Sequence, residues 1–217
     1  MDALQLSARV SMGNGKAAKR LGSIACHYRA QSPFGPLKTE PLQLLSASFT
    51  TDYGYMRAAR FGQAARIGIF DATGFEVGDI LVSEEEGTLY VAAMPLLQPI
   101  LCVKAERQIT LKRTAAGRAS GANGGLQDYG GTTAASETII TSDWPASILL
   151  NRSVEHSPLK LPGETRSAWC SILMPAFGNL HIHTGDFVTD DGGLRYVVIG
   201  TELTDMGWRL TAMRLTA

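Results

Sequence analysis

Two separated stretches of the chain spell out one pattern. VGDILVSEEEGTLYVAAM (77–94) and TGDFVTDDGGLRYVVIG (184–200) each run Gly-Asp, a short apolar strand, an acidic turn with Gly, then Tyr-Val. The matched landmarks are Gly78-Asp79 with Gly185-Asp186, Gly87 with Gly193, and Tyr90-Val91 with Tyr196-Val197. The spacing from Gly-Asp to Tyr-Val differs by one residue, a difference that hairpin loops absorb. A strand–turn–strand unit used twice points to a duplicated β-domain. It also bears on whether the acidic DFVTDDGG segment is a site or a turn. One copy has Thr189-Asp190-Asp191-Gly192-Gly193 where the other has Ser83-Glu84-Glu85-Glu86-Gly87. A metal cage would not survive that exchange. Asp and Gly are favoured where a strand reverses, because Asp bonds its own backbone and Gly adopts positive φ without steric cost. The cluster reads as a turn.

The rest of the chain agrees with a β protein. RIGIF, DILVS, TLYVAAM, ILCVKAE and QITLKR follow one another between Ala65 and Arg113, each short, β-branched or aromatic and bounded by turn residues. ETIITSDW, AWCSILM, NLHIHT, DFVTD, LRYVVIGTEL and GWRLTAMRL continue the texture, with no long amphipathic helix in the second half. Residues 1–22 form a basic N-terminal arm of helical character with Gly22 as C-cap, and SMGNG at 11–15 breaks it into two short pieces or a turn. Residues 23–60 read as irregular, because three prolines between Pro33 and Pro41 exclude a regular helix or central strand. Such a stretch wraps over a core or reaches a neighbour, and LLSASFTTDYGYM then begins a strand-like texture. RTAAGRASGANGGLQDYGGTTAASET (113–138) has almost no bulky apolar residues and reads as a linker or an interaction loop. The organisation expected is an arm at 1–22, a first β-domain at 23–112, a linker at 113–142 and a second β-domain at 143–217. The fold class is mainly β: two small related antiparallel β-barrel or sandwich domains, a short N-terminal helical arm and long irregular loops.

Composition narrows the function. The 20 Lys+Arg balance the 20 Asp+Glu, so no global field favours nucleic acid or an anionic membrane. Cys26, Cys102 and Cys170 are scattered with no CxxC pair, which suits a reducing cytosol. No apolar run approaches the roughly 20 residues of a spanning helix, and the N-terminus lacks a signal-peptide h-region. The expectation is a protein made in the cytoplasm that stays soluble or leaves as part of something larger.

Catalytic and binding motifs fail one by one. A calcium loop starting at Asp186 meets Val188 where a ligand is required, and one starting at Asp190 meets Gly192. Gly15-Lys16 is followed by Ala17, and Val10 stands where a phosphate loop needs Gly. There is no G-x-S-x-G elbow and no G-x-G-x-x-G after a strand. Cys26 and His27 are adjacent, and neighbours on a strand point oppositely. His181 and His183 are the weak metal candidates: at i and i+2 of a strand both imidazoles reach one ion, with His156 and Cys170 as further donors. The nearest approach to a stacking platform is Tyr53, Tyr55, Arg57, Arg60, Phe61 and Arg66. Arg9, Lys16, Lys19 and Arg20 form a basic arm suited to an interface. No catalytic residue and no cofactor is expected.

The stretch from Thr184 to Leu215 resembles the C-terminal texture of small virion proteins of tailed bacteriophages, among them head-completion, head–tail joining (neck) and tail adaptor proteins. Gly185, Asp186, Gly192, Gly193, Tyr196, Val197, Val198 and Trp208 carry the resemblance. GNGKAAKRLG with the proline-rich stretch after it adds a looser likeness to prophage proteins of this sort. The resemblance implies a non-enzymatic structural subunit of the particle, assembled in the host bacterial cytoplasm as a homo-oligomeric ring. Its partners would be itself and portal, adaptor or tail proteins, with no membrane and no specific nucleic acid. The alternatives are a receptor- or carbohydrate-binding tail or baseplate component, and a metal-dependent hydrolase built on His181 and His183.

Overall fold

The structure, a computed structural model, describes residues 2–52, 62–114, 137–150 and 169–215. Helix α1 (Ala3–Leu21) precedes twelve strands. The first six are β1 (Ser23–Tyr28), β2 (Gln43–Thr50), β3 (Ala65–Ile69), β4 (Ile80–Ser83), β5 (Gly87–Ala93) and β6 (Ile100–Ala105). The second six are β7 (Arg107–Thr114), β8 (Glu137–Leu150), β9 (Trp169–Met174), β10 (Phe187–Asp190), β11 (Arg195–Thr204) and β12 (Gly207–Arg214).

Each set closes into an antiparallel barrel, and the two barrels share one strand order. Barrel 1 runs β1-β2-β3-β6-β5-β4 and barrel 2 runs β7-β8-β9-β12-β11-β10. In both, two three-stranded meanders join along both edges, β1 to β4 and β3 to β6 in the first, β7 to β10 and β9 to β12 in the second. Closure removes the free edges of two small sheets. The duplicated β architecture expected from the repeated hairpin is therefore present.

Alternating burial fills each barrel. Trp208, Leu210 and Ala212 of β12 point inward with Ile109 and Leu111 of β7 and Trp144 of β8. Barrel 1 sets Ala25, Ala47 and Leu89 around Phe49, Phe70 and Phe75. A third cluster lies between the barrels, where Ile80, Tyr90, Ala92 and Val103 of barrel 1 meet Leu149 and Leu173 of barrel 2.

Four expectations change. The span 23–60 contains β1, which the irregular reading does not expect, and β2, which lies where LLSASFTTDYGYM begins its strand-like texture. SIACHY hides its alternation because one inward residue is His27, a polar side chain in a core position that is 1% exposed. The passage between domains falls at Glu106, the single residue between β6 and β7, and not at 113–142. β7 belongs to barrel 2 and residues 137–142 lie in β8, so the low-complexity stretch joins two strands of one barrel. Residues 115–136 lie outside the described residues, as do Tyr53, Tyr55, Arg57, Arg60, Phe61 and His156.

The helix is also unbroken through SMGNG. Glycine costs about 1 kcal/mol in a helix interior, but here small residues let α1 lie close to barrel 1. Ser11 Oγ donates to Asp71 Oδ1 (3.1 Å) and accepts from the Ala72 amide (2.7 Å). A Cβ at Gly15 would stand 2.9 Å from that of Asp71, and Ala18 is fully buried. Gly22 does cap the helix, its amide bonding the Ala18 carbonyl at 2.8 Å. Its backbone is extended rather than left-handed, and a side chain there would overlap the Ala47 carbonyl.

Finally, NLHIHT is not a strand: residues 180–183 run without regular structure into a turn at Thr184-Gly185. The proline-rich loop after β1 wraps over barrel 2. Its Pro33 carbonyl accepts from Trp144 Nε1 (2.6 Å), and the Gly35 amide donates to the Ser142 carbonyl (2.9 Å).

Candidate functional site

The repeated Gly-Asp is the centre of a fastener that occurs once in each barrel. The turns Glu76-Val77-Gly78-Asp79 and His183-Thr184-Gly185-Asp186 have the same backbone bond, from the Asp amide to the carbonyl three residues before (3.2 Å in both). Gly78 and Gly185 sit at φ 96 and φ 92, a region that a side chain disfavours. Their amides bond Val91 (2.8 Å) and Val198 (2.7 Å), whose own amides return to Asp79 (2.8 Å) and Asp186 (2.9 Å).

Each carboxylate then grips an arginine at the end of the neighbouring strand, Arg29 just past β1 and Arg113 within β7. Arg29 meets Asp79 through Nε (2.7 Å) and Nη2 (2.7 Å), and Arg113 meets Asp186 through Nε (2.7 Å) and Nη2 (2.8 Å). The same Nη2 atoms donate to the carbonyls of Gly74 and His181, both at 2.8 Å. Paired forks of this kind are among the stronger polar contacts a protein makes. Their place is structural: they tie the entry of β4 to the end of β1 and the entry of β10 to the end of β7, the seams where the two meanders of each barrel meet.

These bonds correct the alignment of the repeat. Val91 matches Val198, twelve residues beyond each aspartate, so the hairpins are equal in length and Tyr90 matches Val197. Tyr196 faces the interior of barrel 2, whereas Tyr90 faces outward into the cluster between the barrels. A one-residue offset along a strand changes the face, so the two tyrosines do different jobs.

Barrel 1 adds an imidazole. His27 stacks on Phe75 with ring centroids 3.9 Å apart, and its Nε2 is 2.8 Å from Asp79 Oδ2. Gln43 Nε2 donates to Nδ1 (3.3 Å), which makes Nε2–H the donor to the aspartate. With contacts at both nitrogens, the ring holds Asp79 in place. Burial alone would raise the Asp79 pKa; donors from Arg29, the Glu76 amide and His27 overcome it and hold the group below the ordinary carboxylate range. Leu111 occupies the matching position in barrel 2.

The acidic turn resolves the same way. Asp190 accepts from the Leu194 amide (2.7 Å) and the Tyr196 hydroxyl (3.3 Å), and Asp191 pairs with Arg107 (3.4 Å). The turn lines an open groove of about 180 Å³ with Gln108, Thr110, Lys112 and Asp143. Asp143 is itself held by Lys38 at 2.6 Å.

His181 and His183 are both exposed and flank the buried Ile182. Their backbones serve the Arg113–Asp186 fastener, through the His181 carbonyl and the His183 amide (2.7 Å to Asp186). Among the described residues no group of three or more His, Cys, Asp or Glu side chains is placed to hold a metal ion. Cys170 lies inside barrel 2 against the Ala212 carbonyl. Burial pushes its thiol up to about 11 and that of Cys102 to about 12, so neither is a thiolate at neutral pH. No helix among the described residues is long and apolar enough to cross a membrane.

Arg9, Lys16, Lys19 and Arg20 are exposed on α1. The arm also exposes Leu4, Leu6, Val10, Met12 and Leu21, and the barrel surface just beyond it exposes Ile24, Leu42 and Leu44. Sequence reasoning missed that apolar surface, and it missed Arg29 and Arg113.

Fold and fasteners together define a tandem pair of six-stranded barrels. Comparison with protein-family models, with curated proteins and with solved structures found no match.

Proposed function

We propose that the protein is a non-enzymatic structural subunit of a tailed-phage particle, assembling as a homo-oligomeric ring in the neck or tail. The observation that carries assembly is the group of exposed apolar side chains where α1 runs into barrel 1, Leu21, Ile24 and Leu44 at 60%, 69% and 66% exposure. Large apolar side chains grouped on one surface mark interaction sites. The charged clusters support a structural role, since the fasteners and the acidic turn are spent on closing barrels. The setting in a virion rests on the resemblance of the stretch from Thr184 to Leu215. Light scattering and negative-stain images of the purified protein test the ring, with closed rings expected and a strict monomer at all concentrations against it. Mass spectrometry of purified particles tests the setting: a fixed copy number is expected, and absence from the particle would end the reading.

The open groove lined by Gln108, Thr110, Lys112 and Asp143 supports a second reading, a receptor- or carbohydrate-binding tail component. A glycan array separates the two, since the ring reading expects no glycan signal.

A further inference from the structure

The contact between the barrels joins two different faces. Barrel 1 contributes the outward residues of β4–β6, namely Ile80, Tyr90, Ala92 and Val103; barrel 2 contributes Leu149 of β8 and Leu173 of β9. The fasteners and strand registers carry each face onto the other barrel. Tyr90 falls on Val197, Ala92 on Ile199 and Val103 on Met213. Leu149 falls on Thr50 and Leu173 on Ile69. Each barrel therefore has both faces, and among the described residues the contact between the barrels uses one of each.

The two unused faces differ from bare barrel surface. On barrel 2, Val197, Ile199 and Met213 form an apolar strip that is only half-buried, where the matching residues of barrel 1 are buried by their neighbour. Among the described elements, the substantial contacts of β10, β11 and β12 are all with their own barrel neighbours. On barrel 1, Ser48, Thr50 and Ile69 are buried, and α1 packs over β2 and β3. The helix turns Ser11, Gly15 and Ala18 toward the barrel and leaves Leu6, Val10 and Leu21 exposed along one flank, with the small residues Gly13 and Ala17 between Val10 and Leu21.

We propose that a second copy of this chain docks head-to-tail, its Val197–Ile199–Met213 face seated on the Leu6–Val10–Leu21 stripe of the first copy's α1. The contact continues the barrel-to-barrel packing within the chain, with α1 supplying the apolar surface that Leu149 and Leu173 supply internally. A heterologous contact leaves one free face at each end, so it propagates and closes into a ring where the rotation allows. The inference rests on the assembly reading and names its surfaces.

The test uses the full-length protein with Val10→Glu, Met213→Glu and their mixture, by light scattering across a concentration series. Each single variant should raise the dissociation midpoint by about tenfold or more. An equimolar mixture should form dimers, because one intact pair of faces remains between the two variants. A second measurement covers loss of folding: Val10→Cys with Met213→Cys, in a Cys26→Ser background, under mild oxidation. The double variant should give a ladder of inter-chain disulfides and neither single variant any. Dimers from Val10→Cys alone would mean α1 meets α1 and would overturn the proposal. So would wild-type assembly in both Glu variants, which leaves the ring reading standing. A wild-type monomer at every concentration overturns both.

Discussion

Replacing Asp186 by alanine removes one fastener and leaves the other as an internal control. The carboxylate is 2% exposed and accepts bonds of 2.7 and 2.8 Å from Arg113 and 2.7 Å from the His183 amide. A hydrogen bond to a charged group contributes about 1.5–3 kcal/mol, and breaking a fully buried pair costs about 3–5 kcal/mol. Arg113 is 36% exposed, so water recovers part of its loss and the upper figure is discounted. Barrel 2 should lose about 2–3 kcal/mol. The three tryptophans, Trp144, Trp169 and Trp208, all lie on strands of barrel 2. Urea unfolding followed by tryptophan fluorescence therefore reads that barrel, while far-ultraviolet circular dichroism reads both. Asp186→Ala should lower the fluorescence midpoint by about 1 M, taking a urea slope near 2 kcal/mol per molar. Asp79→Ala should lower an early dichroism transition and move the fluorescence midpoint far less. A double-mutant cycle with Arg113→Ala should give a coupling of about 1 kcal/mol or more. An unmoved fluorescence midpoint, or strict additivity in the cycle, would show that the fork contributes nothing to closure.

Asp79 should make barrel 1 acid-sensitive. Its folded pKa is depressed, so its contribution is present above the unfolded value of about 3.9 and is lost as pH falls through the folded one. Acid titration by dichroism should show that limb in the wild type and not in Asp79→Asn. His27→Leu copies barrel 2 and leaves Arg29 and the Glu76 amide on Asp79, so it should cost about 1–2 kcal/mol, less than Asp79→Ala; urea melts compare them. Gly22→Ala puts a Cβ against the Ala47 carbonyl and should release α1 from the barrel; faster proteolysis within residues 3–21, with the barrels intact, is the expected readout.

The repeat was legible because its landmarks are local. Gly78-Asp79 and Gly185-Asp186 announce a turn with a backbone that only certain residues accept, and both copies keep it. Arg29 and Arg113 were not legible. They lie 50 and 73 residues before the aspartates they hold, and only barrel closure brings the pairs together. The two Tyr-Val pairs misled for the opposite reason: identical letters sit one position apart, and the ladder assigns them to opposite faces. HIH resembled a strand because Leu180 and Ile182 alternate with the histidines, yet the turn that positions Asp186 needs that backbone. In α1, glycine's weak helix propensity gave way to close packing against Asp71, a tertiary effect that no local window contains.

The single residue Glu106 has a mechanical consequence. One residue of extended chain spans at most about 3.6 Å, so the junction between Ala105 and Arg107 has no slack. Any force that parts the barrels is applied at once to β6 and β7, and it must draw one of them from its ladder. Tension across the molecule therefore passes directly from strand to strand, with no hinge to absorb it. A chain wired this way resists stretching through two barrels in series, and it yields only by opening one of them.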